Sequence, residues 1–138
     1  SYVSLESALS YWNMIPERVY EISSVTIKTS KSYKTPVGRF SYQRLKTPYY
    51  SYGIKNIEYS PKQTMLVASP EKALCDKVVL TPKIYLRSIK QTREFLMEDL
   101  RMDREVLKTL DTKVIGLWIK NAPKKSSLKM LIKTLKEL

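Results

Sequence analysis

The sequence has no histidine among its 138 residues, and Cys75 is its only cysteine. Histidine is the commonest general base and transition-metal ligand, so its absence excludes Ser-His and Cys-His catalysis and typical zinc sites. A single cysteine rules out an internal disulfide and indicates a reducing compartment, the cytoplasm. Because Cys75 stands among apolar residues of a predicted helix, we expect a buried, unreactive thiol.

Several other signatures are also missing. The chain has three glycines and no glycine-rich phosphate loop. No apolar run approaches the ~20 residues that a membrane span needs, and no pair of carboxylates is spaced for acid–base chemistry. We therefore expect a protein that is not an enzyme and has no cofactor, no metal and no membrane partner.

Acidic residues are scarce as well. The chain has 13 acidic and 25 basic residues, which gives a formal net charge of +12. Such a charge favours a polyanionic partner, which could be DNA, RNA or an acidic protein surface. Because 18 of the 25 basic residues are lysines, a lysine-rich composition without any binding role is the alternative.

The segment between Glu21 and Glu58 contains no acidic residue at all. Its basic side chains alternate with tyrosines and Phe40, and lysine or arginine can neutralise phosphates while exposed tyrosines stack on bases. The alternative is that the aromatic residues are core and the basic ones only solvate the surface. The candidate nucleic-acid-binding residues of this first patch are Lys28, Lys31, Lys34, Arg39, Arg44 and Lys46.

A second basic patch is predicted near the C-terminus. A helix beginning at Ser126 or Ser127 carries an apolar stripe and, opposite it, lysines at helical spacing. This face could lie along phosphates or an acidic partner, or it could simply be solvated. Its candidate residues are Lys124, Lys125, Lys129, Lys133 and Lys136.

The N-terminal part predicts a helix followed by strands. Ser4 is the expected cap of the helix, and residues 19–27, 39–45, 54–59 and 65–68 have strand-like patterns. Thr35-Pro36-Val37-Gly38 predicts the turn of a hairpin. The continuous apolar run at 65–68 is typical of a strand that is covered on both faces.

A cap signal follows that run directly. Ser69 is placed to cap a helix, with Pro70 at its first position. Lys72 and Asp76 then lie one turn apart and can pair, with a contribution of a few tenths of a kcal/mol if exposed. Further cap signals at Ser88, Asp103 and Asp111 predict short helices up to the C-terminus.

These patterns predict an α+β fold in a single domain, residues 1–138, with a sheet-rich part (1–80) and a helical part (81–138). We expect a small, mixed, mainly antiparallel sheet of four to five strands. It would pack with the N-terminal helix and a C-terminal set of short helices.

Three segments together resemble the AbiEi antitoxin family, the antitoxin half of the AbiE abortive-infection (type IV toxin–antitoxin) systems. Residues 2–17 read Tyr-Val-Ser-Leu-Glu-Ser-Ala-Leu-Ser-Tyr-Trp-Asn-Met-Ile-Pro-Glu. Residues 35–42 read Thr-Pro-Val-Gly-Arg-Phe-Ser-Tyr, and residues 68–76 read Ala-Ser-Pro-Glu-Lys-Ala-Leu-Cys-Asp. The resemblance extends to about Leu80 and continues more loosely beyond it.

The resemblance implies the C-terminal domain of such an antitoxin, with a winged-helix domain expected upstream in a longer protein. It implies a bacterial, cytoplasmic, non-catalytic antitoxin or transcriptional regulator. Its functional partner would be a nucleotidyltransferase-like toxin that is not stably bound. Together with the charge, this predicts contact with DNA or RNA. The alternative is a protein-interaction module for an acidic partner, without nucleic-acid contact.

Overall fold

The computed structural model describes residues 1–17 and 19–138, which form an α+β fold with one mixed sheet. The strands are β1 (Tyr2–Val3), β2 (Glu21–Thr26), β3 (Lys31–Thr35), β4 (Gly38–Arg44), β5 (Ile54–Ser60) and β6 (Gln63–Ala68). The helices are α1 (Leu5–Tyr11), α2 (Pro70–Leu80), α3 (Ile89–Glu94), α4 (Arg104–Leu107), α5 (Thr112–Trp118) and α6 (Lys125–Lys136). Short 3-10 turns cover Tyr49–Ser51 and Ile119–Asn121, and a π-helical segment, Phe95–Asp99, continues directly from α3.

The six strands that the described residues form have the order β3-β4-β2-β1-β6-β5. The prediction of four to five strands was too low because β1 has only two residues and leaves no periodic pattern. The sheet is mixed, as expected, with three antiparallel and two parallel pairs among the described strands. β2 runs parallel to β4 because the β3–β4 hairpin adds its second strand to β2, and β1 runs parallel to β6.

The hairpin that Thr35-Pro36-Val37-Gly38 predicts is confirmed, and a second hairpin joins the two strands that follow it. β3 and β4 pair antiparallel across Pro36-Val37, and β5 pairs antiparallel with β6. The Thr35 hydroxyl donates to the Gly38 carbonyl at 2.9 Å, which closes the first turn. Gly38 has φ +141°, a backbone conformation that other residues rarely adopt, so glycine suits this end of the turn.

Helix α1 continues from β1 and fills the space between β2 and β6. Its Ser7 hydroxyl donates to the Glu21 carbonyl on β2, and the Trp12 indole donates to the Ala68 carbonyl of β6. Ser4 occupies the N-cap position but forms no side-chain cap, since its hydroxyl donates to Asp76 on α2 instead. The predicted role of Ser4 as a side-chain cap was therefore wrong.

The start of α2 follows the sequence prediction. Ser69 is the N-cap, its hydroxyl oxygen accepts the Lys72 amide at 3.1 Å, and Pro70 opens the helix. The preceding strand is covered on both faces only at its end. Val67 and Ala68 are fully buried, whereas Leu66 is 45% exposed, which corrects the prediction for residues 65–68.

The helical part also departs from the sequence prediction at two starts. Asp111 caps α5 by accepting the Lys113 and Val114 amides, but Asp103 makes no side-chain cap for α4. Helix α6 begins at Lys125, earlier than expected, after Lys124 in the left-handed conformation. Ser127 is buried and accepts the Leu86 amide, which ties α6 to the segment before α3.

The buried apolar side chains of both parts form one cluster that runs from β1 and α1 through α2 to α5 and α6. Cys75 lies in it with no exposed surface, and burial raises the pKa of its thiol, which confirms the expected buried cysteine. Among the residues described, no helix is long and apolar enough to cross a membrane.

Candidate nucleic-acid interface

The β3–β4 hairpin places tyrosines and basic residues on one face of the sheet. Lys31 lies opposite Tyr42, and Tyr33 lies opposite Phe40. Cross-strand partners point to the same face, and the parallel register of β2 with β4 adds Arg44 on that side, next to Thr26. The predicted alternation along β4, with its aromatic residues on one side, is therefore confirmed.

This face of the sheet points away from helix α2. Tyr2 is aligned with Val25, which belongs to the opposite face of β2, and its hydroxyl reaches Asp76 on α2. Helix α2 therefore covers the side opposite to Tyr42. On the open side the ring of Tyr33 is 46% exposed. We call this surface the aromatic sheet face and define it by Lys28, Lys31, Tyr33, Tyr42 and Arg44.

Lys31 and the two tyrosines of the aromatic sheet face form a compact group. The ammonium of Lys31 lies 5.3 Å from the ring centroid of Tyr33 and 5.9 Å from that of Tyr42, within the range of cation–π contacts. The two rings are 6.1 Å apart and nearly perpendicular, at 78°. An open depression of about 250 Å³ lies here, lined by Ser1, Thr26, Lys28, Lys31, Tyr33 and Tyr42.

Lys28 and Arg44 stand at the end of the β2–β4 pair. Lys28 follows β2, where its amide donates to the Thr26 hydroxyl, and its side chain reaches the depression. Arg44 is exposed, and its Nε donates to the Ile27 carbonyl at 3.4 Å. Three cations of the predicted first patch (Lys28, Lys31 and Arg44) thus lie on the same side of the sheet as Tyr33, which is exposed, and Tyr42, which is partly buried.

The remaining residues of the first patch lie elsewhere. Lys34 and Arg39 are cross-strand partners and are exposed on the opposite face of the hairpin. Lys46 is exposed in the segment that follows β4. The sequence predicted one patch, whereas the alternation of β3 and β4 divides it between the two faces of the hairpin.

Helix α6 carries most of the second patch. Leu128, Leu131 and Leu135 are buried, and the opposite stripe is exposed. That stripe consists of Lys125, Lys129, Lys133 and Lys136. These lysines follow one side of the helix, as the spacing predicted.

Lys124 differs from the other lysines of this patch. Its ammonium donates to three backbone carbonyls, of Val78, Thr81 and Ile84, at 2.8–3.1 Å. It also lies 4.6 Å from the ring centroid of Tyr85, and burial lowers its pKa. Lys124 thus satisfies carbonyls at the end of α2, which is a structural role and separates it from the lysine stripe of α6.

The aromatic sheet face and the α6 stripe belong to different elements of the fold. Helix α2 packs against β6 and also against α5 and α6. The aromatic sheet face points away from α2, and the lysines of α6 point away from its buried leucines. The two surfaces are therefore separate candidate interfaces.

The largest buried polar cluster was not predicted from the sequence. Lys72 has no exposed surface, and its ammonium donates to the Tyr2 hydroxyl and to the carbonyls of Tyr49, Tyr50 and Tyr52 at 2.9–3.1 Å. Its nearest contact with Asp76 is 3.7 Å. The predicted pair therefore exists, but it is buried, so the value for an exposed pair does not apply.

Asp76 completes the cluster, and it too is fully buried. Its carboxylate accepts hydrogen bonds from the hydroxyls of Tyr2, Ser4 and Tyr49 at 2.7–2.8 Å. Burial raises the pKa of Asp76 and lowers that of Lys72, and the attraction between the two charges opposes both shifts. The three hydroxyl donors oppose the shift of Asp76 only. The cluster joins β1, the turn at Tyr49–Ser51 and α2.

This cluster has the chemistry of a structural element. Lys72 and Asp76 both have no exposed surface, so a substrate in solution has no access to their polar atoms. Within residues 1–17 and 19–138, no group of acidic residues and cysteine is placed to hold a metal ion.

Sequence comparison does not assign a function to either basic surface. No protein-family model matches the sequence. No curated protein matches it either.

Proposed function

We propose that this chain is a non-catalytic domain that contacts nucleic acid through the aromatic sheet face. The observation that carries the proposal is the position of three cations, Lys28, Lys31 and Arg44, on the same side of the sheet as the exposed ring of Tyr33. They belong to a segment that contains no acidic residue between Glu21 and Glu58. Phosphates are neutralised by such cations, and bases stack on such rings.

The resemblance to AbiEi antitoxins gives this contact a biological setting. On it we propose an antitoxin or transcriptional-regulator domain of a bacterial, cytoplasmic type IV toxin–antitoxin system. A nucleotidyltransferase-like toxin would be its functional partner without a stable complex. In the complete protein, a winged-helix domain would read an operator, and the present domain would add the contacts described above.

Binding to labelled oligonucleotides tests the nucleic-acid contact. With three phosphate contacts, we expect affinity to fall about 20- to 40-fold between 50 and 200 mM salt. The double substitution Lys28→Gln/Lys31→Gln should weaken binding and flatten this salt dependence. The matched control, Lys129→Gln/Lys133→Gln on α6, removes the same charge and should leave binding nearly unchanged.

Absence of binding to every oligonucleotide at low salt would overturn the nucleic-acid contact. In that case the alternative gains support, which is an acidic protein partner seated on the exposed lysines of α6. Copurification with the full-length protein, and its loss in Lys129→Gln/Lys133→Gln but not in Lys28→Gln/Lys31→Gln, would identify that surface.

The antitoxin role has a separate test. Coexpression of the complete gene with a neighbouring nucleotidyltransferase-like gene should restore growth that the second gene alone arrests. If growth is restored equally by the complete protein with and without Lys28→Gln/Lys31→Gln, neutralisation of the toxin does not use the aromatic sheet face.

A further inference from the structure

The tyrosines of the aromatic sheet face cannot stack on the bases of an intact duplex. The faces of bases inside a duplex are covered by their neighbours, so an aromatic side chain stacks on a base only where the strand is single or the base is unstacked. A surface meant for duplex phosphates needs cations but no exposed rings. Here Tyr33, 46% exposed on the edge strand β3, offers a ring at the open side of the sheet.

The two rings also differ in orientation. Tyr33 and Tyr42 meet at 78° with centroids 6.1 Å apart, so two bases stacked on them would lie on planes at nearly right angles. Successive bases of a duplex remain nearly parallel. A single strand can follow such a step because its backbone turns freely between nucleotides.

Two cations lie beside the ring of Tyr33. Lys31 lies 5.3 Å from the Tyr33 centroid, and Lys28 borders the same depression. With about 250 Å³ the depression falls below the usual range for small-molecule sites, and its open form suits one base of a longer strand. Phosphates on either side of that base would meet Lys28 and Lys31.

We propose, on the basis of the function proposed above, that the aromatic sheet face binds single-stranded nucleic acid. One base stacks on Tyr33, and Lys28 and Lys31 hold the adjacent phosphates. RNA and single-stranded DNA share this chemistry, and a contact to the 2′-hydroxyl would distinguish them.

Fluorescence anisotropy with four probes of one mixed sequence tests the proposal. The probes are single-stranded RNA, single-stranded DNA and the two corresponding duplexes, all at the same low salt concentration. We expect both single strands, or one of them, to bind at least tenfold more tightly than its duplex. A preference for the RNA strand would identify RNA as the ligand, and equal affinities would identify any single strand.

Substitutions at Tyr33 locate the stacking. Tyr33→Ala should weaken single-strand binding about 5- to 150-fold, and Tyr33→Phe should retain it because the ring remains. The matched control is Tyr59→Ala, since Tyr59 is a 58% exposed tyrosine at the far edge strand β5. Circular dichroism confirms that each variant keeps its fold, as expected for exposed positions.

Two results would overturn the inference while the proposed function stands. These are duplexes bound as tightly as single strands, or single-strand affinity that Tyr33→Ala leaves unchanged. Failure of all four probes to bind at low salt would overturn both the inference and the nucleic-acid contact on which it rests.

Discussion

Lysine occurs in two opposite settings in this molecule. Lys72 and Lys124 each donate to three backbone carbonyls, and Lys72 has no exposed surface. Lys31 and Lys129, in contrast, are exposed. Buried charges must be satisfied by protein groups, whereas exposed charges exchange water or counterions for a ligand at little cost. The net charge of +12 therefore overstates what is free to bind a partner.

Among the substitutions considered, loss of the buried Lys72 ammonium should lower the free energy of unfolding most. Lys72→Met leaves the Asp76 carboxylate without its cation and three carbonyls without a donor, which should lower the free energy of unfolding by about 3–5 kcal/mol. Urea unfolding measures it. The control on the same helix is Lys77→Met, whose partly exposed ion pair with Glu6 should contribute at most about 1 kcal/mol. Equal losses in the two variants would contradict the difference between the two settings.

Alkaline pH should destabilise the same cluster, because it favours deprotonation of the cluster's tyrosines. Burial, the Asp76 charge and hydrogen bonding to Asp76 raise the pKa values of Tyr2 and Tyr49 above the ordinary 10.0. The folded state therefore keeps protons that the unfolded chain releases, so stability is complete below about pH 10 and falls above it. Cys75 acts in the same direction, and Lys72, with its lowered pKa, acts in the opposite one.

The slope of stability against pH identifies the tyrosines. Each proton retained only by the folded state contributes about 1.4 kcal/mol per pH unit. Urea unfolding between pH 9 and 11 should show a shallower decline for Tyr49→Phe than for the original chain. Tyr59→Phe, at an exposed position, should keep the original slope. A decline that Tyr49→Phe leaves unchanged would assign the alkaline loss to other groups.

Loss of the Lys124 contacts at the end of α2 should have the smallest of the three effects on stability. Lys124→Met removes the donor that three carbonyls share and should cost about 1–3 kcal/mol of unfolding free energy. Its neighbour Lys125 is exposed at the start of α6, and Lys125→Met should leave the urea midpoint where it was. If both substitutions are neutral, Lys124 belongs with the lysine stripe of α6 after all.

Local patterns predicted those elements whose signals lie close together in the sequence. Thr35-Pro36-Val37-Gly38 gave the β3–β4 hairpin, and Ser69-Pro70 gave the start of α2. The faces of β4 also followed from its alternation. Such local signals were enough to predict the α+β class and a mixed sheet. β1 was missed because two residues carry no period, and the parallel pairs were missed because pairing order is not a local property.

The candidate site could be predicted in its composition but not in its arrangement. The acid-free segment indicated the cations and tyrosines, but Lys31 and Lys34 are assigned to opposite faces only once both are known to lie on one strand, β3. The sequence contains one local indication of the buried polar cluster. Lys72 and Asp76 are surrounded on α2 by apolar residues and are spaced by one turn. Their partners Tyr2 and Tyr49 lie more than 20 residues away, so no local pattern includes them.

The position of β3 at the edge of the sheet has a consequence for solubility. An edge strand exposes unpaired backbone groups that a strand of another molecule can join, and charged side chains oppose this pairing. Lys31 and Lys34 point to the two sides of β3 and guard its free edge against such addition. Their charges oppose the addition of a second strand beside the aromatic rings of this edge.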